Sequence, residues 1–313
     1  MQEIKLSPVV MFVHSRLEHT QRTIQSLSEC YLSDMTELII YSDGPRNLTE
    51  QENVDKIRLY LKSVSGFKSI KVIEREHNYG LAKNIFSGIS DVLTVNDTVI
   101  VLEDDMLVSR SFLKFMNYNL DRFATHKSVW QISAWVPDVT FFNHEHSNDT
   151  LYLTFSQLMP CWGWATWKDR WLSIELDIDS LVNRFSLKDK YIFNLGMKYP
   201  FYSHLIGNLI KTNSTWAVYW YASAFLSGGK SIVPTKPLVL NIGSDGSGSH
   251  NSIKIYQTSI IHDYDDVVIL DELSASVFIR MIKRSYGKGL SMLQFFSMYF
   301  KVFVPYWVWK KFK

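Results

Sequence analysis

Three consecutive carboxylates, Glu103-Asp104-Asp105, follow directly on the apolar run Thr98-Val99-Ile100-Val101-Leu102. Adjacent carboxylates repel one another, and a hard divalent cation such as Mg2+ or Mn2+ relieves that repulsion through oxygen ligands. Strand alternation sets Glu103 and Asp105 on one side and Asp104 on the other, so only part of the triplet touches one ion directly. An isolated acidic triplet is more often a solvated turn, and its place at the end of a buried strand is what favours a site. Three more polar clusters also follow apolar runs: His14-Ser15-Arg16, Ser42-Asp43-Gly44 and Glu76-His77-Asn78-Tyr79-Gly80. Arg16 could reach a phosphate or lie on the surface. Asp43 could accept a hydrogen bond from a base or ribose, or simply form the turn before Gly44-Pro45. The stretch Asn78 to Asn84, with Gly80, Leu81 and Lys83, crosses from loop into helix. Free backbone amides and a Lys there suit a diphosphate, although other helix N-termini look alike.

The clusters are positioned by short apolar strands alternating with helices. Val9–Val13, Leu38–Tyr41, Ser69–Ile73 and Thr98–Leu102 read as strands. Helices are expected over Leu17–Leu27, up to about Lys62 with Thr49 and Glu52 as a capping box, and over Leu81–Val95. Ser111–Phe123 adds a helix and Val129–Ser133 a strand. This alternation predicts an α/β fold with a mostly parallel sheet covered on both faces, and ligands beyond the C-terminal strand ends. From about Val136 to His250 the pattern mixes aromatic-rich turns, short strands and helical stretches without a linker.

A chain of 313 residues with 46% hydrophobic content buries a full core. Lys plus Arg total 33 against 31 Asp plus Glu, and a net charge of +2 is a poor footprint for nucleic acid. The two cysteines, Cys30 and Cys161, form no CxxC or Cys/His cluster, which argues for a reducing compartment. The N-terminus lacks a basic region followed by a long apolar stretch, so no secretory signal is expected.

In order along the chain, Val13-His14-Ser15-Arg16, Tyr41-Ser42-Asp43-Gly44-Pro45, His77-Asn78-Tyr79-Gly80-Leu81-Ala82 and Val101-Leu102-Glu103-Asp104-Asp105-Met106 resemble the motifs of GT-A glycosyltransferases. The chain looks like a bacterial family-2-like member, with an EDD segment similar to the N-acetylglucosaminyltransferase I type. The resemblance implies a GT-A-like, Rossmann-like fold, a nucleotide-diphosphate-sugar donor and Mn2+ or Mg2+. It puts Asp43 on the nucleobase, Asn78 to Asn84 along the nucleotide, and Glu103, Asp104 and Asp105 at the metal, with Asp105 as direct ligand. More loosely, Pro160-Cys161-Trp162-Gly163-Trp164-Ala165-Thr166-Trp167 looks like a donor and acceptor loop, and Asn241 to His250 like the segment carrying a metal-binding histidine, here His250. Gly163 would let backbone approach a ligand, and Trp164 would stack on a sugar or pack in the core. A base for inverting transfer is missing from Asn213 to Trp220; Asp245 and Asp169 are the candidates.

The resemblance implies a catalytic domain over residues 1–270, with 1–110 the nucleotide-binding half and 111–270 facing the acceptor. Residues 271–313 form an aromatic-rich C-terminal extension. Met292 to Trp309 is dense in aromatics, interrupted by Lys301 and Pro305 and flanked by Arg280, Lys283, Arg284, Lys288 and Lys310-Lys311. That pattern predicts peripheral contact with the inner face of a cell membrane, or else a helix docked on the body or in a homo-oligomer. The expected reaction is transfer of a hexosyl or N-acetylhexosaminyl group from a nucleotide-diphosphate-sugar, with a UDP-sugar as the expected donor, to a glycan or lipid-linked acceptor in surface polysaccharide synthesis. A sugar nucleotidyltransferase would carry a Gly-rich loop after the first strand, and His14-Ser15-Arg16-Leu17-Glu18 has no glycine. A non-catalytic glycan-binding module would have no use for the carboxylates.

Overall fold

The computed structural model describes residues 6–136, 150–246, 266–269 and 292–313. Its first half repeats strand and helix as the periodicity predicts. Strand β1 (Val9–Val13) leads to helix α1 (Leu17–Ser28), β2 (Glu37–Ser42) to α2 (Leu48–Leu61), and β3 (Ser69–Glu74) to α3 (Leu81–Leu93). Next come β4 (Thr98–Glu103), β5 (Met106–Val108), α4 (Phe112–Arg122) and β6 (Val129–Ser133). β1 is buried along its whole length and β4 along its centre, as continuous apolar runs in a parallel sheet require. β3 is the edge, and its alternate residues, including Lys71, are exposed, which discourages pairing with another chain.

One nine-stranded sheet runs β11-β7-β9-β6-β8-β4-β1-β2-β3, with β7 (Thr150–Ser156), β8 (Trp164–Trp167), β9 (Lys230–Pro234) and β11 (Asp266–Ile269) supplied by the second half. The segment β3-β2-β1-β4 is parallel throughout. β8 enters antiparallel to both β4 and β6, and β7 is antiparallel to β9. The architecture is α/β, a mostly parallel sheet flanked by helices. After β1 the chain moves outward through β2 and β3 and returns to place β4 on the other side of β1. Such a reversal opens a crevice beyond the carboxyl ends of β1 and β4.

Helix α2 departs from the expected capping box at Thr49 and Glu52. The cap is Asn47, whose side chain accepts from Glu50 N–H at 3.1 Å. Asn is as good a cap as Ser and better than Thr, and it starts the helix two residues earlier.

The second half contributes α5 (Lys168–Trp171), α6 (Ile178–Arg184), α7 (Leu187–Phe193), α8 (Phe201–Leu209) and α9 (Ala217–Leu226). Its aromatic richness is core. Trp164 is 1% exposed and sits 6.2, 6.0 and 5.6 Å from Trp171, Trp216 and Trp220. A second cluster joins Phe185, Phe193, Tyr202, Tyr221 and Phe225. Among the described residues no helix is long and apolar enough to cross a membrane.

Candidate active site

The acidic turn between β4 and β5 lies at the mouth of the crevice, and α1 holds it. Thr23 Oγ1 donates to the Asp104 carbonyl at 2.8 Å and accepts from Met106 N–H at 3.1 Å, so one hydroxyl fixes the backbone on both sides of Asp105. Arg16, at the N-terminus of α1, donates through Nη2 to Asp104 Oδ1 and to Asp105 Oδ2, the latter at 2.7 Å. Asp105 is 8% exposed, and its Oδ1 is buried without a hydrogen-bond partner.

Burial pushes the Glu103 carboxyl up to about 8, with the charges of Asp105 and Asp104 adding to the rise and Arg16 opposing it. Burial likewise raises Asp104, against the pull of Arg16. Burial works against the Arg16 charge, but Asp104 and Asp105 together hold the guanidinium protonated well above its ordinary value. Burial raises the Cys161 thiol too, and the Glu103 charge adds to it. Among the described residues no three His, Cys, Asp or Glu side chains converge as a complete metal site. His250 lies outside the described residues.

A ribbon of β5 and β10 (Val239–Asn241) brings the Gly/Ser segment back onto this turn, with Asn241 opposite Met106. Ile242 N–H donates to the Asp105 carbonyl at 2.8 Å. Gly243 then packs so closely that a Cβ there would lie 2.1 Å from Asp105 Oδ2 and 3.0 Å from Arg16 Nη1. Asp245, 48% exposed at its side chain, pairs with His19 Nε2 of α1 at 3.2 Å. Neither Gly243 nor His19 stands out in the sequence. The only local signal is that His19 follows Arg16 by three residues, which places both on one helix face.

The second wall is built around Asp43. Its carboxylate accepts from the backbone N–H groups of Gly44 at 2.9 Å, Tyr79 at 2.8 Å and Gly80 at 3.1 Å, and from Asn78 Nδ2 at 3.2 Å. Four donors match the acceptor capacity of a carboxylate, so Asp43 organises the loop between β3 and α3. Asn78 Nδ2 also donates to the Gly44 carbonyl at 2.8 Å and lies 3.3 Å from His14 Nε2. Ser15 Oγ bonds His14 Nδ1 at 3.2 Å. Gly44 is required by the same contact, because a Cβ there would meet the His77 backbone at 2.5 Å.

Gly80 has φ +72° and open space around it, and no side chain caps α3 behind it. The first amides of that helix therefore have no side-chain cap. Lys83 in the first turn lies 4.2 Å from the Tyr79 ring, and Leu81 is exposed. Asn84 points inward, buried, and accepts from Arg75 Nε at 3.2 Å. Arg75, which no sequence pattern singles out, is held between the Tyr41 and Tyr79 rings at 4.8 and 4.6 Å.

Four expectations are corrected by this geometry. Trp164 is a core residue with no face left for a sugar. Gly163, φ +61°, owes its glycine to packing, since a Cβ would meet Phe112 at 3.2 Å and Val239 at 3.3 Å. Asn84 belongs to the interior of α3. Asp169 lies at the wrong edge of the sheet: β8 pairs Trp164 with Val101 and Trp167 with Thr98, so it runs away from the acidic turn. The length of β4 separates the two, about 16 Å at the rise of a strand. Asp169 is engaged there by Lys127 and Arg170 at 2.6 and 2.7 Å.

No family model matches the chain, and no curated protein matches it. Among solved structures it is similar to the mannosyltransferase PcManGT from Pyrobaculum calidifontis in complex with GDP-Man and Mn2+. The TM-score is 0.38 and the identity 12%, over 71% of this chain and 70% of that one. An active-site mutant of LgtC gives a TM-score of 0.38 at 9% identity, over 71% and 72% of the two chains. S. aureus TarS gives 0.29 at 14% identity, over 47% of this chain and 24% of that one.

Proposed function

We propose that this chain is a metal-assisted glycosyltransferase that moves a hexosyl or N-acetylhexosaminyl group from a UDP-sugar to a glycan or lipid-linked acceptor in surface polysaccharide assembly. The observation that carries the reading is the buried, unpartnered Oδ1 of Asp105 at a crevice between parallel strand ends. Glu103, Asp104, Asp105 and Arg16 together carry a formal charge of −2 when all are ionised, and hard oxygen donors of that charge suit Mn2+ or Mg2+. Asp105 through Oδ1, and Glu103 beside it, would hold the ion, with His250 as a further ligand. Bound there, it would neutralise the diphosphate that leaves the sugar.

The chain's own residues supply the rest. Arg16 holds the two aspartates at the mouth of the crevice, so the site is shaped before donor arrives. Asp43 and Asn78 fix the loop that carries Gly80, and the α3 amides with Lys83 face the phosphates. Asp245, exposed beside the acidic turn, takes the proton from the acceptor hydroxyl. Incubation with a panel of nucleotide sugars, with and without Mn2+, tests the reading by product formation and donor hydrolysis. No turnover and no metal-dependent donor binding across the panel would sink it.

A further inference from the structure

The last described segment, α10 (Met292–Phe303) and α11 (Tyr306–Trp309), is fastened to the body along one side. Buried Lys190 on α7 donates through Nζ to the Val302 carbonyl at 3.1 Å. Tyr306 Oη donates to Asp179 Oδ1 at 2.6 Å, and Lys313 joins the same carboxylate. Val302 and Trp309 are buried by this docking.

The other side is apolar and faces outward. Phe296, Phe300 and Phe303 are 62%, 63% and 59% exposed. At 3.6 residues per turn they fall within about 60° of arc, one above another. Trp307, in the short helix that follows, is 63% exposed, and Lys311 Nζ lies 5.5 Å from its ring with exposed Lys310 beside it. A docked helix ordinarily hides its aromatic face and shows its polar one. Here the inward side already buries Val302 and Trp309, and a further apolar face, the phenyl rings, points to solvent.

We infer that this face lies flat on an anionic lipid surface, with the phenyl rings below headgroup level, Trp307 at that level, and Lys310 and Lys311 on the phosphates. Exposed Phe and Trp with neighbouring Lys are the composition of an in-plane interfacial segment, and lysines on an anionic leaflet add to it. The 12 residues of α10 span about 18 Å, well short of the about 30 Å of a hydrocarbon core, so the helix lies on the bilayer. Twofold pairing of this face with itself would bring lysines toward the like charges of the copy, whereas anionic lipid supplies the opposite sign. The inference goes beyond the transfer reaction and stands without it.

The full chain is sedimented with vesicles of phosphatidylcholine alone and of phosphatidylcholine with phosphatidylglycerol in equal parts. Binding is expected mainly to the mixed vesicles. The triple variant Phe300→Ser, Phe303→Ser, Trp307→Ser should lower partitioning about tenfold or more on both, with circular dichroism checking that it stays folded, since the Phe300 ring packs 5.7 Å from that of buried Trp309. The double variant Lys310→Glu, Lys311→Glu should weaken binding to the mixed vesicles alone. Wild-type protein left in the supernatant with mixed vesicles overturns the inference. So does a triple variant that sediments like wild type, or one whose only change is conversion of a dimer to a monomer in light scattering.

Discussion

Arg16 Nη2 donates to Asp105 Oδ2 at 2.7 Å, while Oδ1 of the same carboxylate stays buried with no hydrogen-bond partner. One oxygen is satisfied by the protein and the other is left for a ligand. A buried acceptor without a partner costs about 1–3 kcal/mol, which a bound cation recovers. Asp105→Ala should therefore abolish Mn2+-dependent donor binding in calorimetry and leave metal-free donor binding close to wild type. Circular dichroism melting should stay within a few degrees, because Arg16 keeps Asp104. Unchanged metal dependence in the variant would move the cation site elsewhere.

Arg16→Met tests the other half of the relationship. Asp104 and Asp105 would lose their counter-ion in a poorly hydrated turn. With the Arg16 side chain 21% exposed, the loss should fall between the about 1 kcal/mol of a surface pair and the about 3–5 kcal/mol of a broken buried one. Mn2+ should raise the melting temperature of the variant more than that of the wild type, since the ion then replaces a missing charge. Equal shifts in both proteins would mean that Arg16 and the cation do not share the cluster.

The halves of the fold differ in how readily the sequence reveals them, and the reason is physical. Val9–Val13 and Thr98–Glu103 are apolar runs whose only stable place is the middle of a parallel sheet, so the four polar clusters had to meet at its edge. β8, four residues paired with β4 and β6, both distant in sequence, gives no such cue. Its antiparallel insertion beside β4 decides that Trp164 sits near the acidic turn in the core and that Asp169 is carried to the far edge. Trp chemistry suits a sugar face and a core equally well, and only packing separates them. Asp43 was legible as a strand-end residue, but three of its four N–H donors come from a loop more than thirty residues away.

Gly243→Ala should show how tightly the returning segment closes the site. Its Cβ would lie 2.1 Å from Asp105 Oδ2, and the Asp105 side chain is too short to swing clear while it keeps Arg16. Either the aspartate or the β10 end must move. A shift of about 1 Å at a catalytic site costs on the order of a hundredfold. The variant should lose about that much in kcat/KM, with the metal affinity falling in parallel. Near-wild-type turnover would show that the segment moves away during the reaction.

The last prediction separates the two proposed bases. Asp245 stands two residues from Gly243 near the acidic turn, partly exposed and paired with His19. Asp169 is held by Lys127 and Arg170 about 16 Å away along the sheet. Although burial opposes it, hydrogen bonding to those two cations lowers the Asp169 carboxyl below its ordinary value. The stability that it contributes is thus present above the unfolded carboxylate pKa and lost as pH falls through the lower folded one. For a side chain 49% exposed that contribution is at most about 1 kcal/mol. Asp169→Asn should accordingly narrow the gap in melting temperature between neutral and acid pH and leave kcat within about twofold. Asp245→Asn should lower kcat by about two orders of magnitude with donor affinity little changed, the scale of a lost general base. The anomer of the product, read by NMR, completes the test: retention of configuration would remove the need for any base at residue 245, and normal turnover of Asp245→Asn with inversion would assign the proton to another group.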